Sequence, residues 1–417
     1  MTTPFTKPAR KNPVLRTPQI NLPPSARGRV ALGLTAAAAE GRFALQVCAE
    51  CGAVQYPPRE ACHRCLSPDL PWQPQDGAGV LLASTTLAHS NDLYFRERLP
   101  WRLGMVKLDA GPSVMVHLHG EVRAEPCRVQ VQARLDRAGQ AVLIGCPEKG
   151  TEHMADDPLL REMASDPKYR KVLVTDGKSA VGQALVHALV KAGADQVWVG
   201  HAEPWKQLPG LAQLAALPQV TLVPLDVTDE RSVSTLAGRI GGKVDIVVNT
   251  AELHRGFGIA ARRGTDVAKA EMEVNYFGLL RLAQCFGPAL RGRSADGAVH
   301  ATAWVNLLSV YALANFPAHG TFSASQAAAL SLAQCLRAEM QPAGIRVVNV
   351  FPGPIDDEWN QNLPPPKLAP AALASAIVRA LQSGVEDLYP GDVAQEWHQR
   401  WRHDPKVLER ELAAGGH

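Results

Sequence analysis

The run Arg170-Lys-Val-Leu-Val-Thr-Asp-Gly-Lys-Ser-Ala-Val-Gly-Gln-Ala-Leu-Val-His-Ala-Leu-Val-Lys-Ala192 decides the fold of the larger part of this 417-residue chain. Its first part, Arg170 to Thr175, is short and centred on the apolar run Val172-Leu-Val174, the pattern of a buried strand. From Ala180 to Ala192 the apolar residues recur at three- and four-residue steps, the spacing of a helix with one buried face. Strand-like runs return at Val197-Trp-Val, Val220-Thr-Leu-Val, Val244-Asp-Ile-Val-Val, Trp304-Val-Asn-Leu-Leu and Ile345-Arg-Val-Val-Asn-Val, with helical patterns between them. Strands that alternate with helices pair in parallel through crossovers, so the expected fold is an α/β doubly wound parallel sheet.

The order of landmarks over residues 170–395 resembles the short-chain dehydrogenase/reductase family, a Rossmann fold. Leu225-Asp226-Val227 matches its adenine-side aspartate motif and Asp245-Ile-Val-Val-Asn249 the strand before the cofactor. Val274-Asn275-Tyr-Phe-Gly278 matches the helix asparagine and Phe351-Pro-Gly353-Pro the loop after the sheet. The resemblance implies a catalytic serine, tyrosine and lysine, in which the tyrosine hydroxyl passes the proton while the lysine lowers its pKa and holds the nicotinamide ribose. Here the family's Tyr-x-x-x-Lys falls on Phe322-Ser-Ala-Ser-Gln326, and of the three groups only the serine remains, at Ser309. A phenyl ring has no proton to pass, and a neutral amide supplies no positive field. Ser309, Phe322, Gln326 and Asn275 are therefore expected to be vestigial.

The phosphate loop departs separately. The family's Thr-Gly-x-x-x-Gly-x-Gly reads Thr175-Asp176-Gly177-Lys178-Ser179-Ala180-Val181-Gly182, so two of three glycines are replaced. A methyl at Ala180 intrudes where backbone would meet a pyrophosphate, and Asp176 brings a negative charge and is expected as a helix N-cap. Glu252, in Asn249-Thr-Ala-Glu252, adds a carboxylate near the ribose. Asp176, Gly177, Ala180, Gly182, Asp226 and Asn249 are thus a weakened cofactor set, and NAD(P) is not expected to bind. The alternative is an NAD(P)-dependent 3-hydroxyacyl-CoA dehydrogenase or 3-oxoacyl-CoA reductase, with Tyr311 or His319 as the acid and Lys178 recruiting a phosphorylated cofactor.

Toward the N-terminus, four of the eight cysteines cluster as Cys48-Ala-Glu-Cys51 and Cys62-His-Arg-Cys65. Two such turns at this spacing offer four thiolates to one ion, and a closed tetrahedral site of this kind is structural zinc. Disulfides or a redox pair are the competing readings, and the second pair at ribbon-like spacing weighs against both. Short strand-like runs follow at 80–84, 101–108, 113–118, 129–133 and 141–144, divided by Asp-Ala-Gly-Pro and Arg-Ala-Gly-Gln turns, which suggests a small barrel of OB-fold length. Cys48 to Arg59 and Cys62 to Asp69 carry a resemblance to a family with an N-terminal helix, a rubredoxin-like zinc ribbon and an OB-fold, which accompanies thiolases, acyl-CoA synthases and aldolases. It implies a non-catalytic subunit that docks on a thiolase-fold or aldolase enzyme and helps accommodate acyl-CoA, with Cys48, Cys51, Cys62 and Cys65 as metal ligands.

The expected organisation is an extended basic arm at 1–29, helix and zinc ribbon at 30–72, OB-fold at 73–147, a polar linker at 148–169, the Rossmann domain at 170–395 and a C-terminal helix or tail at 396–417. The arm holds Lys7, Arg10, Lys11, Arg16, Arg27 and Arg29 before the first acidic residue, Glu40. Over the whole chain 43 basic and 40 acidic side chains nearly cancel to +3, which gives no broad field for nucleic acid or a membrane surface. No run is long and apolar enough to span a bilayer, and a cytoplasmic protein is the default. His117 and His119 read as half-exposed strand residues, and Arg96, Arg98 and Arg102 as a solvated loop or, alternatively, as contacts for CoA phosphates. Two helices, 267–290 and 322–340, are expected to pair with an active dehydrogenase subunit or with a second copy. Their pairing faces would carry Met272, Tyr276, Leu279 and Ala283, and Ala329, Leu332, Leu336 and Met340. The chain is thus expected to be a scaffold in acyl-CoA β-oxidation rather than an enzyme.

Overall fold

Period-two alternation builds the smaller of two units. Along Ser113–Leu118, Val114, Val116 and Leu118 are buried while Ser113 and Met115 are exposed, as on a strand with one face in a core. The computed structural model describes residues 2–9, 14, 19–123, 126–206, 208–261, 263–297 and 300–415. One unit is formed mainly by residues 19–165 and the other mainly by 166–417. Arg10, Lys11 and Arg16 of the basic arm lie outside the described residues.

In the first unit, helix α1 (Leu32–Ala39) precedes a three-stranded antiparallel sheet of β1 (Ala44–Val47), β2 (Val54–Gln55) and β3 (Trp72–Pro74), in the order β2-β1-β3. A closed barrel follows, of β4 (Ala78–Leu87), β5 (Trp101–Leu108), β6 (Ser113–Leu118), β7 (Cys127–Leu135) and β8 (Ala141–Pro147), in the order β4-β5-β6-β8-β7. The barrel is the five-stranded one expected, and its closure leaves no free edge. Helix α2 (Leu93–Arg96), capped by Asp92, lies between β4 and β5 in sequence. The described parts of the arm up to Gly28 form neither helix nor strand. They are tied down by a bond from the Thr2 amide to Glu121, by Phe5 under the Arg161 guanidinium at 3.5 Å, and by Asn21 donating to Glu97 at 2.7 Å.

Three expectations are corrected here. The polar joint 148–169 holds helix α3 (Pro158–Glu162), and Leu160 and Met163 pack with Ile144 and Cys146 in a small core, so most of it belongs to the barrel unit. His119 is not half-exposed but fully buried just past β6, where Nδ1 accepts from the Glu121 amide and Nε2 meets the Met154 carbonyl at 3.0 Å. His117 accepts from the Trp101 indole at 2.7 Å. Arg98 and Arg102 are engaged rather than open to a ligand. Arg98 pairs with Glu162 at 3.0 Å over the Tyr94 ring, and Arg102 donates to the carbonyls of His119, Gly120 and Val122.

The second unit is a seven-stranded, wholly parallel sheet. Its strands are β9 (Lys171–Val174), β10 (Gln196–His201), β11 (Val220–Pro224), β12 (Ile246–Asn249), β13 (Ala303–Leu307), β14 (Arg346–Val350) and β15 (Asp387–Leu388). The order β11-β10-β9-β12-β13-β14-β15 reverses direction between β9 and β12, the switch point where such folds bind ligands. The helices are α4 (Ala180–Lys191), α5 (Pro209–Ala215), α6 (Glu230–Ile240), α7 (Asp266–Met272), α8 (Leu279–Gly292), α9 (Gly320–Met340), α10 (Pro370–Ser383), α11 (Asp392–His403) and α12 (Pro405–Ala413). Helix α4 forms as its pattern requires: Val181, Leu185, Val186 and Leu189 are buried, and Gly193 beyond its end takes a φ of +86° that other residues avoid.

Strand β15 was missed, being two residues long, and the tail is more than an appendage. Trp397, Leu408 and Leu412 are buried in the same core as Trp304 and Phe286. The expected pairing faces also need correction. Leu279, Ala329, Leu336 and Met340 are buried in the domain's own core, while Met272, Tyr276, Ala283 and Leu332 stay partly exposed beside the open Phe277. A helix packed on a sheet must spend most of its apolar stripe on that sheet.

Candidate functional site

The two cysteine knuckles are built alike. In each, the residue after the second cysteine takes a left-handed φ, Gly52 at +68° and Leu66 at +64°, and its amide donates to the carbonyl of the first cysteine. This folds two thiols of each turn toward one point. All four Sγ atoms lie within 4.8 Å of one another, with Cys48 to Cys65 at 3.5 Å and Cys51 to Cys62 at 3.6 Å. Zn–S bonds of about 2.3 Å in a tetrahedron require edges of roughly 3.8 Å, so the four sulfurs fit zinc. The amides of Cys65 and Arg64 hold Cys62 down to about 6, whereas Cys51 and Cys65 are raised, with burial and the neighbouring thiols pushing them up. Four ligands complete the shell, and the site's role is structural.

The knuckles are braced by two buried glutamines that the sequence did not single out. Gln46 and Gln55 face one another across β1 and β2, and the Gln55 amide donates to Gln46 Oε1 at 3.2 Å. Gln46 clamps Arg59, accepting from its amide at 2.8 Å and donating to its carbonyl at 2.9 Å, while Gln55 accepts from the His63 amide at 3.1 Å. Nothing in a two-residue strand announces such a role.

At the other site, the phosphate loop closes on itself. The N-cap of α4 is Ser179, whose Oγ accepts from Gly182 at 3.1 Å; Asp176, expected there, instead accepts from the Lys178 amide at 2.8 Å. The difference is one of reach, since Asp176 lies a further turn from the first helical residue. The one surviving motif glycine, Gly182, and its neighbour in the loop, Gly177, serve packing: a Cβ on Gly177 would fall 2.1 Å from Val199, and one on Gly182 would fall 2.0 Å from the Asp176 carbonyl. Ala180, in the place of the lost middle glycine, is exposed. Burial pushes the Asp176 carboxyl above its usual range. Asn249 accepts from Thr175 Oγ1 at 2.9 Å, which ties the ends of β9 and β12 together.

Two of the four positions expected to be vestigial, Ser309 and Phe322, share a cavity, while Gln326 and Asn275 are not in its lining. Glu252 lines it as well, joined by Tyr311, Asn360 and a residue missed from sequence, His254. The cavity measures about 10 Å³, about the space of a single water. Phe322, 1% exposed, stacks on the His254 ring with centroids 3.9 Å apart and planes 18° from parallel. His254 Nε2 meets His319 Nδ1 at 2.8 Å, and burial drives His254 down to about 3 and lowers His319 as well, which favours the neutral imidazole. Burial raises the Tyr311 hydroxyl well above its ordinary value. Gln326 donates to Glu252 across 3.5 Å, and burial, reinforced by the Asp357 charge, pushes Glu252 up to about 8. Asn275 sits in a π-turn over Glu273–Gly278, exchanges two 2.9 Å bonds with the backbone of Leu253 and donates to Ser325 Oγ at 2.9 Å. His254 stands alone in a polar loop without periodicity, so only its place beside Phe322 marks it.

On the adenine side a cleft of about 190 Å³ remains, with Asp226, Val227, Leu208, Lys178 and Glu203 on its walls. Glu203, just beyond β10, stands where such folds carry the ribose-binding acid, and it is paired to Lys178 at 3.0 Å and Lys206 at 2.5 Å. Asp226 accepts from the Thr228 hydroxyl at 2.7 Å. No helix among the described residues is long and apolar enough to cross a membrane.

Comparison with known proteins agrees with both architectures. Residues 35–71 match the rubredoxin-like zinc ribbon domain of ChsH2, residues 72–140 its C-terminal OB-fold domain, and residues 170–367 the short chain dehydrogenase family. The short-chain dehydrogenase ptmH of Penicillium ochrochloron is 32% identical over 206 residues, 47% of this chain and 70% of the relative. Dehydrogenase/reductase SDR family member 7B of Mus musculus is 29% identical over 49% of this chain and 64% of its own length. A short chain dehydrogenase from Burkholderia cenocepacia J2315, solved in complex with NADP, shares 34% identity and a TM-score of 0.54 over 59% of this chain and 98% of its own. The chain therefore belongs to the short chain dehydrogenase family, and carries ahead of that domain a zinc ribbon and OB-fold of the ChsH2 type.

Proposed function

We propose that this chain is a non-catalytic accessory subunit of an acyl-CoA-processing assembly. Its zinc-ribbon and OB-fold unit would dock on a thiolase-fold or aldolase enzyme, and its dehydrogenase-like unit would pair with an active dehydrogenase subunit or a second copy of itself. The observation that carries the reading is the filling of the proton-transfer position. Phe322 and Gln326 replace the ionisable pair, and the space in front of them is taken by His254 and a carboxyl that favours its protonated form, Glu252. General acid catalysis needs a proton held within hydrogen-bond reach of the reacting atom, and a ring carbon cannot supply one. Tyr311, the substitute acid of the rival reading, has its hydroxyl raised further from a useful pKa by burial.

The rival reading, an NAD(P)-dependent 3-hydroxyacyl-CoA dehydrogenase or 3-oxoacyl-CoA reductase, has one observation in its favour, the adenine-side cleft with Asp226 and Glu203 in place. Titrating the full chain with NADH and NADPH, followed by assay against 3-oxoacyl-CoA thioesters, separates the two. No micromolar binding and no turnover are expected, whereas micromolar binding with turnover would establish the enzyme.

A further inference from the structure

A groove of about 480 Å³ runs between the zinc knuckles and the turn from β5 to β6. Its walls carry Arg59, Arg64 and Lys107 beside Tyr56, and no aspartate or glutamate lines it. All three cations are exposed, and none has an ion pair among the described residues. Other arginines of this unit do have carboxylate partners: Arg42 with Glu40, Arg98 with Glu162, Arg161 with Asp156. Glu60, next to Arg59 in sequence, is exposed and makes no ion pair with it among the described residues, and Asp109, two residues beyond Lys107, is held by a two-pronged bond to Arg128 at 2.7 and 2.8 Å. No carboxylate of the lining therefore neutralises the groove's three cations.

The walls are also held in place. Gln46 and Gln55, both buried, fix the backbone of Arg59 and His63, and Arg64 follows directly with its amide on Cys62 Sγ at 3.4 Å. Opposite them, Lys107 is paired in register with Ser113 across the β5–β6 hairpin. A concave volume in the range of small-molecule sites, with three cations on a braced backbone and an aromatic wall, suits a compact multiply charged anion better than an extended chain.

We propose that this groove binds the phosphate groups of a small phosphorylated ligand, with Arg59, Arg64 and Lys107 as the charge-bearing contacts. The inference goes beyond the scaffold reading and does not depend on it. The chemistry is shared by free polyphosphate and by the diphosphate of a nucleotide, and two probes tell them apart. The full, zinc-loaded chain is titrated calorimetrically with inorganic pyrophosphate and with ADP, beside Lys107→Glu, Arg59→Gln and, as a control in the other unit, Lys178→Glu. Saturable binding of at least one probe is expected. It should weaken tenfold or more in Lys107→Glu and Arg59→Gln, persist in Lys178→Glu, and decline as salt rises from 0.01 to 0.15 M and the screening length falls from about 30 to about 8 Å. Tighter binding of ADP assigns a nucleotide and tighter binding of pyrophosphate a free polyphosphate. Absence of saturable binding, binding untouched by the two groove substitutions, or capture of acidic peptides alone would overturn the proposal.

Discussion

Glu252 shows how one side chain can register what the site has become. Burial lifts its carboxyl from an ordinary 4.5 to about 8, so between these values the folded chain keeps a proton that the unfolded chain has released. The folded state then binds more protons than the unfolded one, and stability falls as pH rises from about 5 to 8. His254 acts in the opposite sense. Lowered from 6.5 to about 3, it is neutral when folded and charged when unfolded across that interval, so its contribution is lost as pH falls below 6.5. Glu252→Gln should therefore leave stability unchanged near pH 5 and raise it by about 2–4 kcal/mol near pH 8.5, read from denaturant midpoints at the two pH values. Equal stability of variant and parent at pH 8.5 would show that Glu252 ionises freely. On the scaffold reading, the double substitution Phe322→Tyr with Gln326→Lys should restore no reductase activity, because Ala180 and Asp176 remain in the place of two loop glycines and His254 still stacks on residue 322. Measurable turnover of a 3-oxoacyl-CoA by that variant would refute this. The sequence exposed Phe322 and Gln326 because a fixed spacing placed them; it could not expose His254, whose significance is its 3.9 Å stack on a residue 68 positions away.

Among the elements, the zinc ribbon is the least able to stand without its ion. Its sheet has strands of four, two and three residues, and the core around Cys48, Ala53 and Cys62 is small. Metal binding then supplies much of the folding free energy, and Cys48→Ser with Cys62→Ser should unfold residues 44–74 while the parallel sheet keeps its helical circular dichroism and its cooperative melt. Metal analysis of the unmodified chain should give about one zinc per chain. Asn275 is the corresponding pin in the larger unit. Asn275→Ala leaves the Leu253 amide and carbonyl without their partner, a loss of about 2–4 kcal/mol by thermal or denaturant unfolding. A change below about 0.5 kcal/mol would mean that the loop finds other partners. The alternation of strands and helices was legible at this scale, since periodicity is a local property of ten or so residues. The short pieces were not: β15, β2 and α3 are too brief to show a period, and they form because neighbours offer them an edge or an apolar floor.

For the whole molecule, the untested expectation is association. Phe277, 41% exposed, sits with the partly exposed Met272, Tyr276, Ala283 and Leu332 on the helices expected to pair. Native mass measurement of the full chain, alone and co-expressed with a thiolase-fold enzyme and an active dehydrogenase, should give a dimer or larger assembly that Phe277→Asp weakens tenfold or more. A monomer that captures neither enzyme would end the scaffold reading. By itself, the sequence determined the metal ligands, because Cys-x-x-Cys spacing already brings two thiols to one ion. It determined six of the sheet's seven strands and its parallel sense, because buried runs and crossover helices dictate both, and it placed Phe322 and Gln326 on the family's Tyr-x-x-x-Lys positions by their spacing. Only the tertiary structure decided which apolar residues of the helices spend themselves on the core, which carboxyl caps nothing, and that Arg98 and Arg102 are engaged while Arg59, Arg64 and Lys107 have no ion pair among the described residues. Those outcomes depend on distances between residues far apart in the chain, and such distances are fixed by packing, which no local pattern encodes.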